Sequence, residues 1–272
     1  MAFNDISLTA GMRNNLVSLQ DTVSLLNRTQ VRLSSGKKVN SALDNPTSFF
    51  AAQALNSRAA DLSALKDNMG QAIQTVTAAN NGISGITTLV EAAKGIAQSA
   101  LSTSDTTSRA SFAAQFDGIV AQINTLAQDS GYKGTNLLNN NNLTVNFNET
   151  GSSSLTISGT AANAGLTFTA AAAAWTTTDN TAINTAVTEL GTATTSLRNT
   201  ASSLSANLAI VNARQDFTTQ MVNTLTAGAD KLTLADMNEE GANMLMLQTR
   251  QALGTTALSL SAQAAQSVLK LF

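Results

Sequence analysis

The sequence predicts a mainly all-α fold: long antiparallel helices in a coiled-coil bundle that pairs both chain termini, with a small β-hairpin region mid-chain. Three observations carry this. Apolar residues recur at 4-3 spacing over most of the 272 residues. The segments follow a palindromic order: terminal helix, link, long helix, second helix, hairpin, long helix, link, terminal helix. Strict alternation of apolar and polar residues occurs in one place, near the middle.

The longest heptad run, Asn45 to Leu101, organises the rest. Leu55, Leu62, Met69, Val76, Ile83, Val90 and Ala97 hold one heptad position, and Leu65, Ala72, Ala79, Ile86, Ala93 and Ala100 hold the position three residues later. Arg58 is the exception at the first such site. A single helix over this run is roughly 80 Å long, so other helices must cover its seam. Asn45 and Pro46 fit N-cap and N1; Pro46 is the only proline in the chain. Gly70, Gly82, Gly85 and Gly95 interrupt good helix formers, which predicts close helix contact.

Before this run, Asn4 to Leu33 reads as an amphipathic helix with Met12, Leu16, Leu19, Val23, Leu26 and Leu33 on its seam and Gln30 among them. Gly36 is placed to take the left-handed conformation that ends it, and Lys37 to Leu43 reads as a link. After Leu101, Asp105 is placed to cap a second helix to about Gln128, with Phe112, Phe116, Ile119, Ile123 and Leu126 on one face and Gly131 as its stop. Leu143, Val145 and Phe147, then Leu155 and Ile157, alternate around Glu149-Thr-Gly-Ser152, a hairpin signature; Leu166 and Phe168 suggest a further short strand. The polar, Gly/Thr-rich composition of this stretch predicts an exposed excursion.

From Asp179 the heptads return. Ile183, Val187, Leu190, Leu197, Ala201, Leu204, Leu208, Val211 and Val222 keep the rhythm to about Leu225, with Thr194, Gln215 and Thr218 in the remaining sites. Thr226 to Leu234, which holds Gly228, reads as a link. Asp236 with Glu239 three residues on resembles a capping box for the last helix. Met246, Leu253, Ala257, Leu260, Ala264 and Leu271 form its seam, widened by Leu258, Val268, Leu269 and Phe272. The expected parts are residues 1–45 with 226–272, residues 46–134 with 176–225, and a separate 135–175.

Composition narrows the function. Only 12% of residues are charged and 4% are aromatic, about half the usual charged share. The helix faces are therefore Ala, Ser, Thr, Asn and Gln, which suits packing on several sides. A net charge of -2 argues against a nucleic-acid partner, which requires a basic face. With no Cys and no His, thiolate chemistry, the Ser-His-Asp triad and most metal-ligand sets are closed. Asp236, Glu239 and Glu240 read as partners of a helix N-terminus rather than a cation site. No cofactor is expected. No apolar run is long enough for a membrane span, and Met1 to Gln20 lacks the basic start and apolar core of a Sec signal. Apolar helices at both termini are a liability in a monomer and an asset in an interface. Frayed termini that order on assembly are the expectation for the free chain.

Several motifs then carry a resemblance to bacterial flagellins, over essentially the whole chain. Leu33-Ser-Ser-Gly-Lys-Lys-Val-Asn-Ser-Ala-Leu-Asp-Asn-Pro46 resembles the family's N-terminal signature, Gly131-Tyr-Lys-Gly-Thr-Asn-Leu-Leu138 its turn before the hairpin, and Asp236 to Phe272 its terminal helix. The short middle resembles a minimal, alphaproteobacterial type. The resemblance implies an extracellular filament subunit, with 1–45 and 226–272 as the inner tube and the remainder as the outer tube. It implies polymerisation through Met12, Leu16, Leu19, Val23, Leu26, Leu33, Met246, Leu253, Leu260, Val268, Leu271 and Phe272. Gly36, Asn45, Pro46 and Gly228 would form the link or spoke. Leu62, Met69, Val76, Ile83, Val90, Leu190, Leu197, Leu204 and Val211 would form the intrachain seam. It further implies flagellar type III export, a secretion chaperone on the C-terminal helix, and junction and cap proteins of the hook-associated kind as neighbours. In the segment Leu89 to Ala100, Glu91 and Ala93 stand where flagellins sensed by the vertebrate Toll-like receptor carry arginines, a degenerate epitope. The alternative reading is a hook–filament junction protein, which shares the terminal helical plan. A chemoreceptor-like signalling coiled coil lacks its membrane spans here, and an enzyme lacks paired acids in a cleft.

Overall fold

The computed structural model describes residues 10–161 and 174–269, the side chains of Val268 and Leu269 excepted. Seven elements follow in chain order: α1 (Ala10–Ser35), α2 (Pro46–Leu101), α3 (Thr106–Asp129), β1 (Leu143–Asn146), β2 (Ser154–Ile157), α4 (Thr181–Thr233) and α5 (Met237–Leu269). The long helices pack against one another and the sheet has two antiparallel strands. The start expected at Asn4, the strand expected at Leu166 and Phe168, and Leu271 and Phe272 lie outside the described residues, as does the side chain of Val268.

Two compact units are present, one of residues 1–57 with 224–272 and one of residues 58–223. The expected boundaries at 45/46 and 225/226 differ from these. The first turns of α2 belong with the terminal helices, because Ala52 is buried in that unit and Leu55 approaches Gly228. The link expected over 226–234 is instead helical: α4 runs through Gly228 to Thr233. A single interior glycine costs about 1 kcal/mol, and buried Leu225 and Ala229 on either side hold the helix in place.

In the 58–223 unit, Met69, Val76, Ile83, Ile86 and Val90 of α2 meet Ile183, Leu190, Leu197, Leu204 and Val211 of α4, all at most 5% exposed. Leu62 is buried as well. Antiparallel packing follows from two contacts: Arg109 joins Thr103, just past the end of α2, to Thr177, just before α4, and further along α4 Gln215 Nε2 donates to the Lys66 carbonyl at 3.4 Å. Small residues share this core: Ala72, Ala79, Ala93 and Ala97 of α2, and Ala186 and Ala193 of α4, are almost wholly buried. On α4 this places Ala186 and Ala193 ahead of Val187 and Thr194, so close backbone approach wins over bulk at those layers.

Helix α3 adds a third layer. Asp105 caps it, accepting from the Ser108 N–H at 2.8 Å. Gly82 and Gly85 of α2 allow its close approach. A Cβ on Gly82 would lie 2.1 Å from Ser130 Oγ, and one on Gly85 would lie 2.8 Å from Leu126 Cδ2. Gly95 has nothing within 4 Å, so no contact requires it. The helix ends at Ser130 rather than through Gly131; the left-handed residues come later, at Lys133 and Gly134.

The described residues 135–161 and 174–175 pack on the helices rather than standing apart from them. Leu137, Leu138, Val145, Ile157 and Trp175 are at most 3% exposed and belong to the same core as the helices. Trp175 lies against Phe116, ring centroids 5.0 Å apart. The strands pair Leu143 with Ile157 and Val145 with Leu155, which puts four apolar side chains on the helix-facing side. Asparagines provide the frame: Asn136 Nδ2 donates to the last carbonyls of α3, Ala127 and Gln128, both at 2.8 Å, and Asn142 Oδ1 accepts from Gly159 N–H at 3.0 Å. Polar composition here satisfies buried backbone groups.

Candidate assembly surface

The terminal unit pairs α1 with α5 in antiparallel fashion. Arg32 meets Glu240 and Leu19 meets Gly254. On α1 the pair uses the expected seam apart from Val23; on α5 it uses a less apolar row than the expected one.

On α5, the row Glu240, Leu247, Gly254 faces α1. Glu240 and Leu247 are buried, and a Cβ on Gly254 would lie 3.1 Å from Leu19 Cδ1. Met244, Gln251, Leu258, Ser261 and Ala265 are half-buried at the intervening positions. The more apolar row points elsewhere: Met246 is 47% exposed, Leu253 65% and Leu260 62%, with Leu245 beside them at 68%. On α1, Met12, Thr22 and Thr29 are buried, and Leu16, Leu19, Leu26 and Leu33 are half-buried. Val23 lies off this line and is exposed, as are Val17, Leu25 and Val31. Thr22 and Thr29 were invisible to a search for apolar heptads. The Thr22 hydroxyl donates to the Ser18 carbonyl within α1 at 2.8 Å, which lets it act as a small core residue.

The seam mixes Met12, Leu19 and Leu247 with Thr22, Thr29, Gly254 and Glu240. A cleft of about 260 Å³ persists between Asn15, Leu19 and Thr22 of α1 and Arg250, Leu253 and Gly254 of α5. Each partly exposed Leu or Val stands to gain up to about 1–2 kcal/mol on full burial, so the terminal unit retains a hydrophobic driving force for association.

The links on either side of the pair are tightly specified. Gly36 takes φ +68° and ends α1. The chain then runs alongside the end of α4: Lys38 N–H donates to the Thr233 carbonyl at 2.7 Å, and Ala235 N–H donates to the Gly36 carbonyl at 3.0 Å. Asp44 Oδ2 accepts from the N–H groups of Asn40 and Ser41, each at 3.0 Å, which holds its carboxyl below the ordinary Asp value. Asn45 Oδ1 accepts from Ser48 N–H at 3.1 Å and caps α2, with Pro46 as its first residue. Gly228 has a different place from the other three: it is inside α4, where its bare Cα admits Leu55 at 3.5 Å from the Cβ position. Asp236 caps α5 by accepting from Asn238 and Glu239 N–H. Glu240, grouped with it by sequence, serves Arg32 instead.

In the 58–223 unit, Glu91 is exposed on α2 while Ala93 is fully buried against the core. Arg109 was missed by sequence reasoning, because a lone arginine in an amphipathic helix carries no signal. It is 2% exposed and donates to the carbonyls of Thr103 and Thr177, both at 2.7 Å, and to Asn180 Oδ1. One guanidinium thus ties the α2–α3 turn to the lead-in of α4.

Two paired terminal helices that leave the Met246, Leu253 and Leu260 row of α5 and Val17, Leu25 and Val31 of α1 exposed present the kind of surface a self-assembling subunit requires. Residues 6–143 match the family described as bacterial flagellin N-terminal helical region. Flagellin FljM of Caulobacter vibrioides is 33% identical over 286 residues, covering 100% of both chains. A flagellin of Brucella melitensis is 30% identical, covering 99% of this chain and 97% of its own. A crystal structure of Bacillus cereus flagellin aligns with TM-score 0.49 at 14% identity, covering 56% of this chain and 88% of that one. The chain belongs to the flagellin family. It is a structural subunit of the extracellular bacterial flagellar filament, the propeller of swimming motility. Full-length relatives that are themselves flagellins do not favour the hook–filament junction reading. No helix among the described residues is long and apolar enough to cross a membrane.

Proposed function

We propose that the subunit polymerises through the outward rows of α1 and α5, with residues 1–45 and 226–272 as the inner tube and the rest of the chain as the outer tube. The observation that carries this is the exposure of Met246, Leu253 and Leu260, the most apolar row of α5, while a polar row makes the intrachain pair. Val268, Leu271 and Phe272, whose side chains lie outside the described residues, are assigned to polymerisation with them on the family resemblance. Gly36, Asn45 and Pro46 act as the spoke between layers. The role is mechanical, with no catalysis.

The same surface suits earlier stages of the subunit's life. A secretion chaperone covers the apolar face of α5 before export, the flagellar type III apparatus passes the unfolded chain, and hook-associated junction and cap proteins bound the polymer. The absence of cysteine fits a chain unfolded in one redox compartment and used in another. Glu91 and Ala93 make the chain a weak ligand for the flagellin-sensing Toll-like receptor, since an acid replaces a base on the exposed face and position 93 is buried in the free subunit. Full reporter-cell activation at low dose would refute that statement.

Seeded assembly tests the central reading. Intact chain gives filaments by light scattering and negative-stain microscopy, and chain lacking 1–45 and 226–272 gives none. Filaments from the truncated chain would overturn it; short rings or caps from the intact chain would favour a junction protein.

A further inference from the structure

In the 58–223 unit, Ile210 and Phe217 are the only large apolar side chains exposed among the described residues, at 45% and 52%. They stand one heptad apart on α4 and so share a face. The neighbours on that face are small: Ser203, Ala206 and Ala213 are exposed between and beside them. Of the two charges nearby, Arg214 lies 5.2 Å over the Phe147 ring of its own chain, and the exposed Asp216 sits about 100° round the helix from Phe217, at the edge of the face where it can stay in water. An exposed aromatic beside an arginine has the composition of an interface centre.

A receiving site lies on the same unit. A cleft of about 300 Å³ opens between α2, the Tyr132 turn and β1. Leu65, Ala72, Leu143 and Val145 supply its apolar lining and Tyr132 its rim, with the phenol donating to Gln71 Oε1 at 3.0 Å. Lys133, the one charged residue lining it, sits 5.9 Å from the Tyr132 ring centroid.

We propose that the Ile210/Phe217 face of one copy seats in the Leu65/Tyr132/Leu143 cleft of an adjacent copy, a lateral contact of the filament outside the terminal helices. The inference rests on the filament reading. A helical polymer needs heterologous contacts, in which different surfaces of successive copies meet. A protruding aromatic and a cleft that holds one such side chain, both on one unit, meet that requirement.

The chain has no cysteine, so single-cysteine chains give an unambiguous test. Chains carrying Phe217→Cys and Thr144→Cys are mixed, co-assembled on seeds and oxidised. A mixture of Phe217→Cys with Thr195→Cys, another exposed site on α4, is the comparison. The expected result is a cross-linked heterodimer from the first mixture, in filaments only, and little from the second. Phe217→Lys is expected to raise the critical concentration for assembly about tenfold or more, with an unchanged thermal midpoint of the monomer. Filaments that yield equal cross-linking in both mixtures, Phe217→Cys homodimers, or no cross-link would overturn the contact. If wild-type chain itself forms no filaments, the filament reading fails first, and the two failures are distinguishable.

Discussion

Arg32 Nη1 donates to Glu240 Oε1 at 3.0 Å, tying the last turn of α1 to the first turn of α5 across 208 positions of sequence. The Glu240 side chain is 6% exposed and that of Arg32 21%. Arg32 Nε is buried with no partner among the described residues, so this pair already carries an incomplete hydrogen-bond set. Replacing Arg32 with Ala strands a buried carboxylate. The expected loss is about 2–3 kcal/mol, confined to the terminal unit. Hydrogen exchange of α1 and α5 amides checks it: protection falls there and stays constant in residues 58–223.

Arg109 offers a contrast in the other unit. Its replacement by Ala leaves the carbonyls of Thr103 and Thr177 without a donor in a buried site. A loss of about 3 kcal/mol in urea unfolding is expected, and Arg109→Lys recovers little of it, because one ammonium cannot span the same acceptors.

Glycine substitutions separate packing from propensity. Gly82→Ala inserts a methyl group where Ser130 and Leu138 already stand. It is expected to destabilise by about 1–3 kcal/mol despite better helix propensity. Gly95→Ala meets nothing within 4 Å and is expected to stabilise by roughly 0.5–1 kcal/mol. Paired denaturant curves of the two variants decide the matter; equal effects would contradict the close α2–α3 contact.

Acid sensitivity follows from three aspartates held below their ordinary value of 3.8. Asp44 is held there by the backbone N–H groups of Asn40 and Ser41, Asp105 by Ser108, and Asp179 by Thr181. A depressed carboxyl group contributes its full stabilisation above the unfolded value, and that contribution is lost as pH falls through the lower folded value. Stability is therefore expected to be level from about pH 7 to 5 and to fall below about pH 4. The triple replacement by Asn flattens this fall in pH-dependent thermal melts.

The outward row of α5 separates folding from assembly. Leu253→Ser and Leu260→Ser remove apolar groups that are more than 60% exposed in the free subunit. Monomer stability is expected to change by less than about 0.5 kcal/mol, while seeded growth falls sharply. Leu247→Ala, on the buried row, is expected to cost about 2 kcal/mol or more in the monomer.

Much of this was legible in the chain itself. The α2 seam needs no tertiary information, because Leu62, Met69, Val76, Ile83 and Val90 repeat in sevens and any partner helix must cover them. Asn45, Pro46, Gly36 and Asp105 also declare themselves, since caps and left-handed turns are local chemistry. The burial of Trp175, Leu137 and Leu138 was not legible. Their segment is polar and turn-rich, and only the approach of α2 and α3 makes a pocket for them.

The sequence by itself determined which segments are helical, where most of them begin and end, that the two termini pair, and that the chain carries more apolar surface than one copy can bury. Tertiary structure decided which side of α5 faces inward, whereas α1 turns its expected seam, Val23 excepted, toward its partner. A heptad row states that a surface is to be buried, and it cannot name the partner. On α5 the glycine and glutamate row met Leu19 and Arg32 of the same chain because small and charge-matched residues allow close pairing. The leucine row at 246, 253 and 260 was thereby left outside. A seam built on the leucine row of α5 would have buried that row within one chain; the Glu240, Leu247 and Gly254 seam leaves it exposed.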